Sequence, residues 1–200
     1  VREIKTPILF GAVGWQPKNM NEVTLFNRAY LVSSTGEVLN YYDKIKLAPF
    51  GEYIPFHSSL LFFLDKFVEG IGDFAAGTKI RVFSLPTAKF GVLICFEGIF
   101  PDLARRFVAD GGNFLVNITN DAWFGRSSAP YQHLVMEAMR AVENRVPLVR
   151  AANTGFSAVV SLDGSIQAKT NLYEAAFLVE EISWPQVTSF YAQYGDLFAY

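Results

Sequence analysis

Between Phe90 and Ala151 the chain alternates short apolar runs with amphipathic stretches, and that alternation restricts it to layered folds in which helices cover a sheet. Residues 90–94 read as a buried strand. Residues 101–109 follow as a helix, with Leu103, Phe107 and Val108 on one face and Asp102, Arg105, Arg106 and Asp110 towards water. Gly111 and Gly112 stop it, as glycine at a helix C-terminus does. Residues 114–118 form the next strand. Pro130 opens a second helix running to about Asn144, with Leu134, Ala138, Met139, Ala141 and Val142 as its core side. Residues 148–151 return as a strand. Hairpins dominate the two ends. Residues 7–13 read as a buried strand; residues 29–33 and 38–42 flank a short glycine-containing loop; residues 80–83 and 90–94 are strands across a second turn; residues 157–161 turn at Asp163-Gly164 into 165–168. The expectation is an α/β domain with a mixed sheet. Repeats, low-complexity tracts and linkers are absent, so residues 1–200 are read as a single domain.

The 200 residues suffice for a substantial core, since a chain of about 150 residues already buries roughly two-thirds of its surface. Hydrophobic residues make up 51% and aromatics 16% of the chain, which is rich for an ordinary soluble domain. A net charge of −2 gives no nucleic-acid footprint, and no nucleic-acid partner is expected. One cysteine excludes an internal disulfide and says nothing about the redox compartment. The longest apolar run, residues 60–64, falls far short of the roughly 20 residues a membrane span requires. The chain opens at Val1 without a signal segment, and we expect it to be a piece of a longer protein.

Cys95 closes the apolar run 90–94 just before the helix at 101–109, where an α/β enzyme presents a nucleophile and a helix N-terminus favours thiolate. An unpaired cysteine is also often a small buried hydrophobe, and position alone leaves both readings open. A thiol nucleophile needs a base and a positive group where oxyanion charge develops. The two histidines, His57 and His133, carry no local signature of a Cys–His pair. Lys44 leaves the end of a strand, and Glu52 lies in a stiff loop with Pro49, Gly51 and Pro55. Lysine beside a thiol stabilises thiolate and can hydrogen-bond an oxyanion, and a loop carboxylate can exchange protons. Most lysines and glutamates are simply solvated, and the residue types alone favour that reading.

The ordered set Tyr42-Asp43-Lys44, 49–55, Ile94-Cys95-Phe96-Glu97 with Phe100-Pro101, 117–125, 130–134, 140–144, 152–157 and 194–196 resembles the nitrilase (carbon–nitrogen hydrolase) superfamily, and within it the apolipoprotein N-acyltransferase family. The likeness covers nearly the whole chain in order. It implies a four-layer αββα sandwich, here N-terminally truncated and lacking its first strand and flanking membrane helices. It also implies a Glu–Lys–Cys triad. Cys95 matches the nucleophile, Lys44 the triad lysine and Glu52 a second, supporting glutamate. Glu97 and Phe96 match positions the family needs beside the nucleophile, and Trp123 falls in a loop flanking the substrate entrance. Three departures stand out: the first glutamate lies upstream of Val1, Phe96 replaces a frequent tyrosine, and Lys46 stands where the superfamily often has histidine.

The activity implied is transfer of a fatty acyl chain from a phospholipid donor to the N-terminal amine of a diacylglyceryl-cysteine apolipoprotein, through a Cys95 thioester. The resemblance implies no cofactor and no metal, a monomer at a membrane surface, and a place on the periplasmic face of the bacterial inner membrane. Residues 60–67 and the aromatic segment after Phe190 are expected to touch either the bilayer or the core. The alternatives are a soluble nitrilase-type amidase using the same Cys–Lys pair and a non-catalytic lipid-binding module.

Overall fold

A computed structural model describes residues 5–53, 74–184 and 188–197. The N-terminal third forms an antiparallel sheet from β1 (Ile8–Pro17), β2 (Val23–Val32) and β3 (Val38–Asp43), in the order β1-β2-β3. β1 pairs with β2 along its full length, from Ile8↔Val32 to Pro17↔Val23. It is an edge strand whose Val13 and Trp15 stay more than half exposed, whereas the sequence suggested a buried strand. Among the described residues its apolar run is covered by one neighbouring strand, and hydrophobicity overstated its burial. The β2–β3 turn is tightened by Ser33, whose backbone N–H donates to Glu37 O at 2.8 Å, with Gly36 at a φ of +92°.

The remaining strands form one six-stranded mixed sheet in sequence order: β4 (Phe83–Ser84), β5 (Lys89–Ile94), β6 (Phe114–Asn120), β7 (Leu148–Asn153), β8 (Ala158–Val160) and β9 (Ile166–Lys169). β5, β6 and β7 run parallel; the outer pairings are antiparallel. The strand expected at 80–83 contracts to two residues.

Helices α1 (Pro101–Ala109) and α2 (Ala129–Asn144) link the parallel strands, each with proline in its first turn, where no N–H is needed. α1 buries Leu103, Ala104 and Phe107 and stops at Gly111, whose φ of +97° suits glycine. Phe107 lies directly over Gly91 of β5, where a β-carbon would fall 2.4 Å from it; only glycine allows that approach.

α2 departs from expectation. Leu134, Ala138 and Ala141 are buried, but Met139 and Val142 are exposed, and His133, Glu137, Arg140 and Asn144 fill the inward face instead. Apolar spacing cannot reveal a helix whose buried stripe is largely polar.

Buried residues of both sheets and of α1 and α2 join in one continuous core, from Ala29 and Leu31 through Val92 and Leu93 to Leu103 and Ala141. The described residues thus supply an α/β sandwich with helices laid on the six-stranded sheet, in keeping with the expected αββα type. The segment after Phe190 forms a short helix, α3 (Phe190–Tyr194), against α1 and α2: Ser189 Oγ donates to Glu143 O at 2.7 Å and Arg105 donates to Ala192 O at 3.4 Å. The segment packs on the protein while Phe190, Tyr194 and Leu197 stay exposed, and residues 198–200 lie outside the described residues. His57 and residues 60–67 lie outside the described residues. Among the described residues no helix is long and apolar enough to cross a membrane.

Candidate active site

The carboxyl ends of β5, β6 and β7 meet at one edge of the sheet, the place where parallel α/β sheets hold ligands. β5 ends at Ile94, and a single 3₁₀ turn, Cys95–Ile99, intervenes before α1. Cys95 heads that turn at a φ of +50°, a left-handed conformation unusual for a residue with a β-carbon. It is partly exposed.

Glu97, in the same turn, is wholly buried. Its Oε2 accepts from the Ile94 backbone at 2.8 Å, closing the turn on itself. Its Oε1 accepts from Tyr42 Oη and Ile45 N, both at 2.7 Å, and from Lys46 N at 3.0 Å. One carboxylate therefore joins the residue before Cys95 to the residue after Lys44. Burial pushes the Glu97 carboxyl above its ordinary value, against four hydrogen bonds that each favour the ionised form. Burial, followed by the Glu97 charge, likewise drives the Tyr42 hydroxyl far above the usual tyrosine range.

Lys44 leaves β3 with its side chain 1% exposed, and its ammonium donates to Glu52 Oε2 at 2.6 Å. Glu52 is held in turn by the Ala48 backbone at 2.7 Å and by Asn27 Nδ2 at 2.5 Å. The Lys44 backbone is pinned on both sides, N–H to Asn27 O at 2.9 Å and carbonyl from Gly77 N at 2.7 Å. A buried ammonium in such a frame keeps a fixed position, which a group meant to meet developing negative charge requires.

The other expected residues are spread around this edge. Phe96 packs edge-on against Phe100, with ring centroids 5.2 Å apart, and the Lys46 ammonium lies over the Phe100 ring. Trp123 stands in a short 3₁₀ turn, Asp121–Phe124, after β6 and is 78% exposed. Glu97 thus ties the turn that carries Cys95 to the segment that follows Lys44, Glu52 pairs with the Lys44 ammonium, and Trp123 faces outward. A cavity of about 360 Å³ between β7, β8 and residues 176–182 is lined by neither Cys95 nor Lys44.

Beneath the Cys95 turn lies a polar cluster that residue types did not single out. His133 Nδ1 is 3.1 Å from Asp121 Oδ1, and its Nε2 is 3.0 Å from Glu137 Oε1 and 3.3 Å from the Cys95 carbonyl oxygen. Arg150, on β7 and fully buried, donates to Asp121 Oδ2 at 2.5 Å and to Phe156 O at 2.9 Å, and its other terminal nitrogen meets Glu137. Burial disfavours a charged imidazole, but the bonds to Asp121 and Glu137 outweigh it and push His133 up to about 9. Burial would raise Asp121; its bond from His133 and the Arg150 charge win and hold it below its ordinary value. Asn117 Nδ2 also donates to the Cys95 carbonyl, at 3.2 Å. His133 thus reaches Cys95 at its backbone. The sequence signal was present in the ordered blocks at 117–125, 130–134 and 152–157, which supply Asn117, Asp121, His133 and Phe156.

A carbon–nitrogen hydrolase family model matches residues 1–192. A protein named apolipoprotein N-acyltransferase from Geobacter metallireducens is 49% identical over 199 residues, covering 100% of this chain and 38% of that protein. One of the same name from Borreliella burgdorferi is 34% identical, covering 99% of this chain and 38% of its own length. The chain therefore spans well under half of the curated relatives it matches. Among solved structures, a mutant of an amidase from Nesterenkonia sp. AN1, with acrylamide added at its active-site cysteine, superposes with a TM-score of 0.62 over 86% of this chain and 61% of its own. At 22% identity that likeness speaks for the fold alone.

Proposed function

The chain belongs to the carbon–nitrogen hydrolase family, and from that membership we propose that it is the acyl-transferring part of an apolipoprotein N-acyltransferase, with Cys95 as nucleophile. Identity of 49% along the whole chain to a protein of that name supports the activity. The observation that carries the residue roles is the Glu97 bridge, which makes the turn bearing Cys95 and the strand end bearing Lys44 one rigid unit.

In this reading the Cys95 thiolate attacks the ester carbonyl of a phospholipid. The tetrahedral oxyanion forms against the Lys44 ammonium, which Glu52 holds by their ion pair. Collapse breaks the ester C–O bond and releases lysophospholipid, whose oxygen takes the proton first removed from the thiol. The base in that exchange is, on the family pattern, a glutamate outside the residues described. The thioester is then attacked by the α-amino group of a diacylglyceryl-cysteine apolipoprotein. An amide forms, the amine proton leaves to the same base, and the C–S bond breaks to restore the thiolate. Two half-reactions let two bulky lipids use one site in turn. Glu97 fixes the frame, Phe96 lines the nucleophile's flank, and exposed Trp123 contacts lipid at the entrance. A phospholipid donor and a lipoprotein acceptor call for a site at a membrane surface, and this reading puts it on the periplasmic face of a bacterial inner membrane.

The test is mass spectrometry of the full-length protein after incubation with phospholipid vesicles. An acyl mass on the Cys95 peptide, absent in Cys95→Ala, is expected. A folded wild-type protein that carries no acyl group there, yet hydrolyses short amides, would replace this reading with the amidase.

A further inference from the structure

A left-handed backbone is disfavoured for a residue with a β-carbon, and Cys95 holds one at a φ of +50°. Its carbonyl group is held from two sides. That oxygen accepts from Asn117 Nδ2 at 3.2 Å and faces His133 Nε2 at 3.3 Å. We infer that Asn117 and His133 are positioning residues for the Cys95 thiol: by donating to its carbonyl oxygen from β6 and α2, they hold the turn that sets the direction in which Sγ leaves the backbone.

Both ring nitrogens of His133 have partners, and Nδ1 lies 3.2 Å from Arg150 Nη2 as well as beside Asp121. Nε2 faces two acceptors, the Cys95 carbonyl and Glu137 Oε1, so it carries a proton. Nδ1 faces Asp121 Oδ1, which Thr119 Oγ1 also engages at 3.0 Å, while Asp121 Oδ2 is bound by Arg150. Arg150 is itself tied to Phe156 O. The strand register puts Leu93, Asn117 and Arg150 side by side on β5, β6 and β7, so Asn117 and the arginine that binds Asp121 beside His133 stand on neighbouring parallel strands. The acids are seated against backbone. A β-carbon on Gly98 would fall 2.5 Å from Glu137 Cγ, and one on Gly155 would fall 2.4 Å from Asp121 Oδ2. α2 also grips the far end of the same turn, where Arg140 donates to Ile99 O at 2.7 Å. A cluster serving stability alone has no need to end on the carbonyl of the one cysteine.

The inference rests on Cys95 being the acylated residue, and the experiment separates the two. Single-turnover acylation of the full-length protein by phosphatidylethanolamine vesicles is followed by the mass of the Cys95 peptide across lipid concentrations. His133→Ala and Asn117→Leu are expected to lower the maximal acylation rate tenfold or more, with the half-saturating lipid concentration changed less than twofold. His133→Gln, whose amide nitrogen can still donate, is expected to recover several-fold over His133→Ala. His133→Ala strands two carboxylates and can fail to fold; Asn117→Leu strands no charge and then decides. A folded Asn117→Leu protein acylating within twofold of wild type overturns the inference, as does a His133→Gln rate no better than that of a folded His133→Ala. Loss of folding in both Asn117→Leu and His133→Ala also overturns it, because the residues would then serve the core. Absence of acyl on Cys95 in the wild type strikes the underlying reading instead.

Discussion

A single carboxylate that satisfies four donors concentrates risk at one residue. Glu97 has no exposure and accepts from Tyr42, Ile45, Lys46 and Ile94. Truncation to alanine leaves those donors facing a void, and buried donors without partners cost about 1–3 kcal/mol each, so Glu97→Ala is expected to lose at least about 3 kcal/mol. Glu97→Gln keeps the volume but turns an NH₂ group towards one set of N–H donors. It is expected to lose less stability than the alanine variant while still loosening Lys44 from Cys95. Urea midpoints of the two variants, measured beside Cys95 acylation, check this. A Glu97→Gln protein with wild-type midpoint and rate would show that the bridge does not matter. Trp123 sits at the opposite limit of burial. At 78% exposure its replacement by serine is expected to leave stability within about 0.5 kcal/mol, as for most surface changes. The same variant is expected to weaken binding to phospholipid vesicles several-fold in a flotation assay; unchanged flotation would remove Trp123 from the entrance.

At the scale of elements, α2 decides how the site is held, and it is where the sequence was hardest to read. Cys95, Lys44, Glu52 and Glu97 became candidates through the ordered set of blocks that resembles a known family; a strand end, a Pro/Gly loop and a Cys-x-Glu step alone left them as ordinary solvated or buried residues. The alternation of strands and helices was legible, since β5, β6 and β7 are apolar runs broken by α1 and α2. The inward face of α2 was not. His133, Glu137, Arg140 and Asn144 recur at helical spacing but are polar, and apolar spacing put Met139 and Val142 in the expected core instead. Their partners outside the helix lie on the turn after β6, on β7 and on the Cys95 turn, so spacing within α2 does not reveal them. β1 erred in the other direction, because apolar content cannot tell an edge strand from a covered one. The tight seat of α2 on the Cys95 turn yields its own prediction. With Glu137 so close to Gly98, Gly98→Ala is expected to push turn and helix apart, costing about 1–3 kcal/mol as overpacking does and slowing acylation. Thermal melting and the single-turnover rate test it; an alanine variant as stable as wild type would mean the turn rides freely on α2.

For the whole molecule, the cluster of Asp121, Glu137, His133 and Arg150 couples folding to pH. With all four ionised its charges cancel, two carboxylates against two cations, which is the condition under which buried charges are tolerable. Folding raises His133 from about 6.5, its ordinary value, to about 9. Between those limits the folded protein holds a proton that the unfolded chain has released, so stability falls as pH rises. The contribution is complete below about pH 6.5 and gone once the pH has passed through about 9. Asp121 works at the acid end. Its lowered value gives stability that is present above the ordinary aspartate range and lost as pH falls through the depressed one. Tyr42, raised above its ordinary value, extends the alkaline decline beyond pH 10. The thermal midpoint is therefore expected to fall steadily from pH 6.5 to pH 9 in the wild type and to lose most of that slope in His133→Gln, which cannot titrate. A wild-type midpoint that stays level across this interval would mean the imidazole is neutral in the fold, and that the Arg150 charge alone balances the two acids around the Cys95 turn.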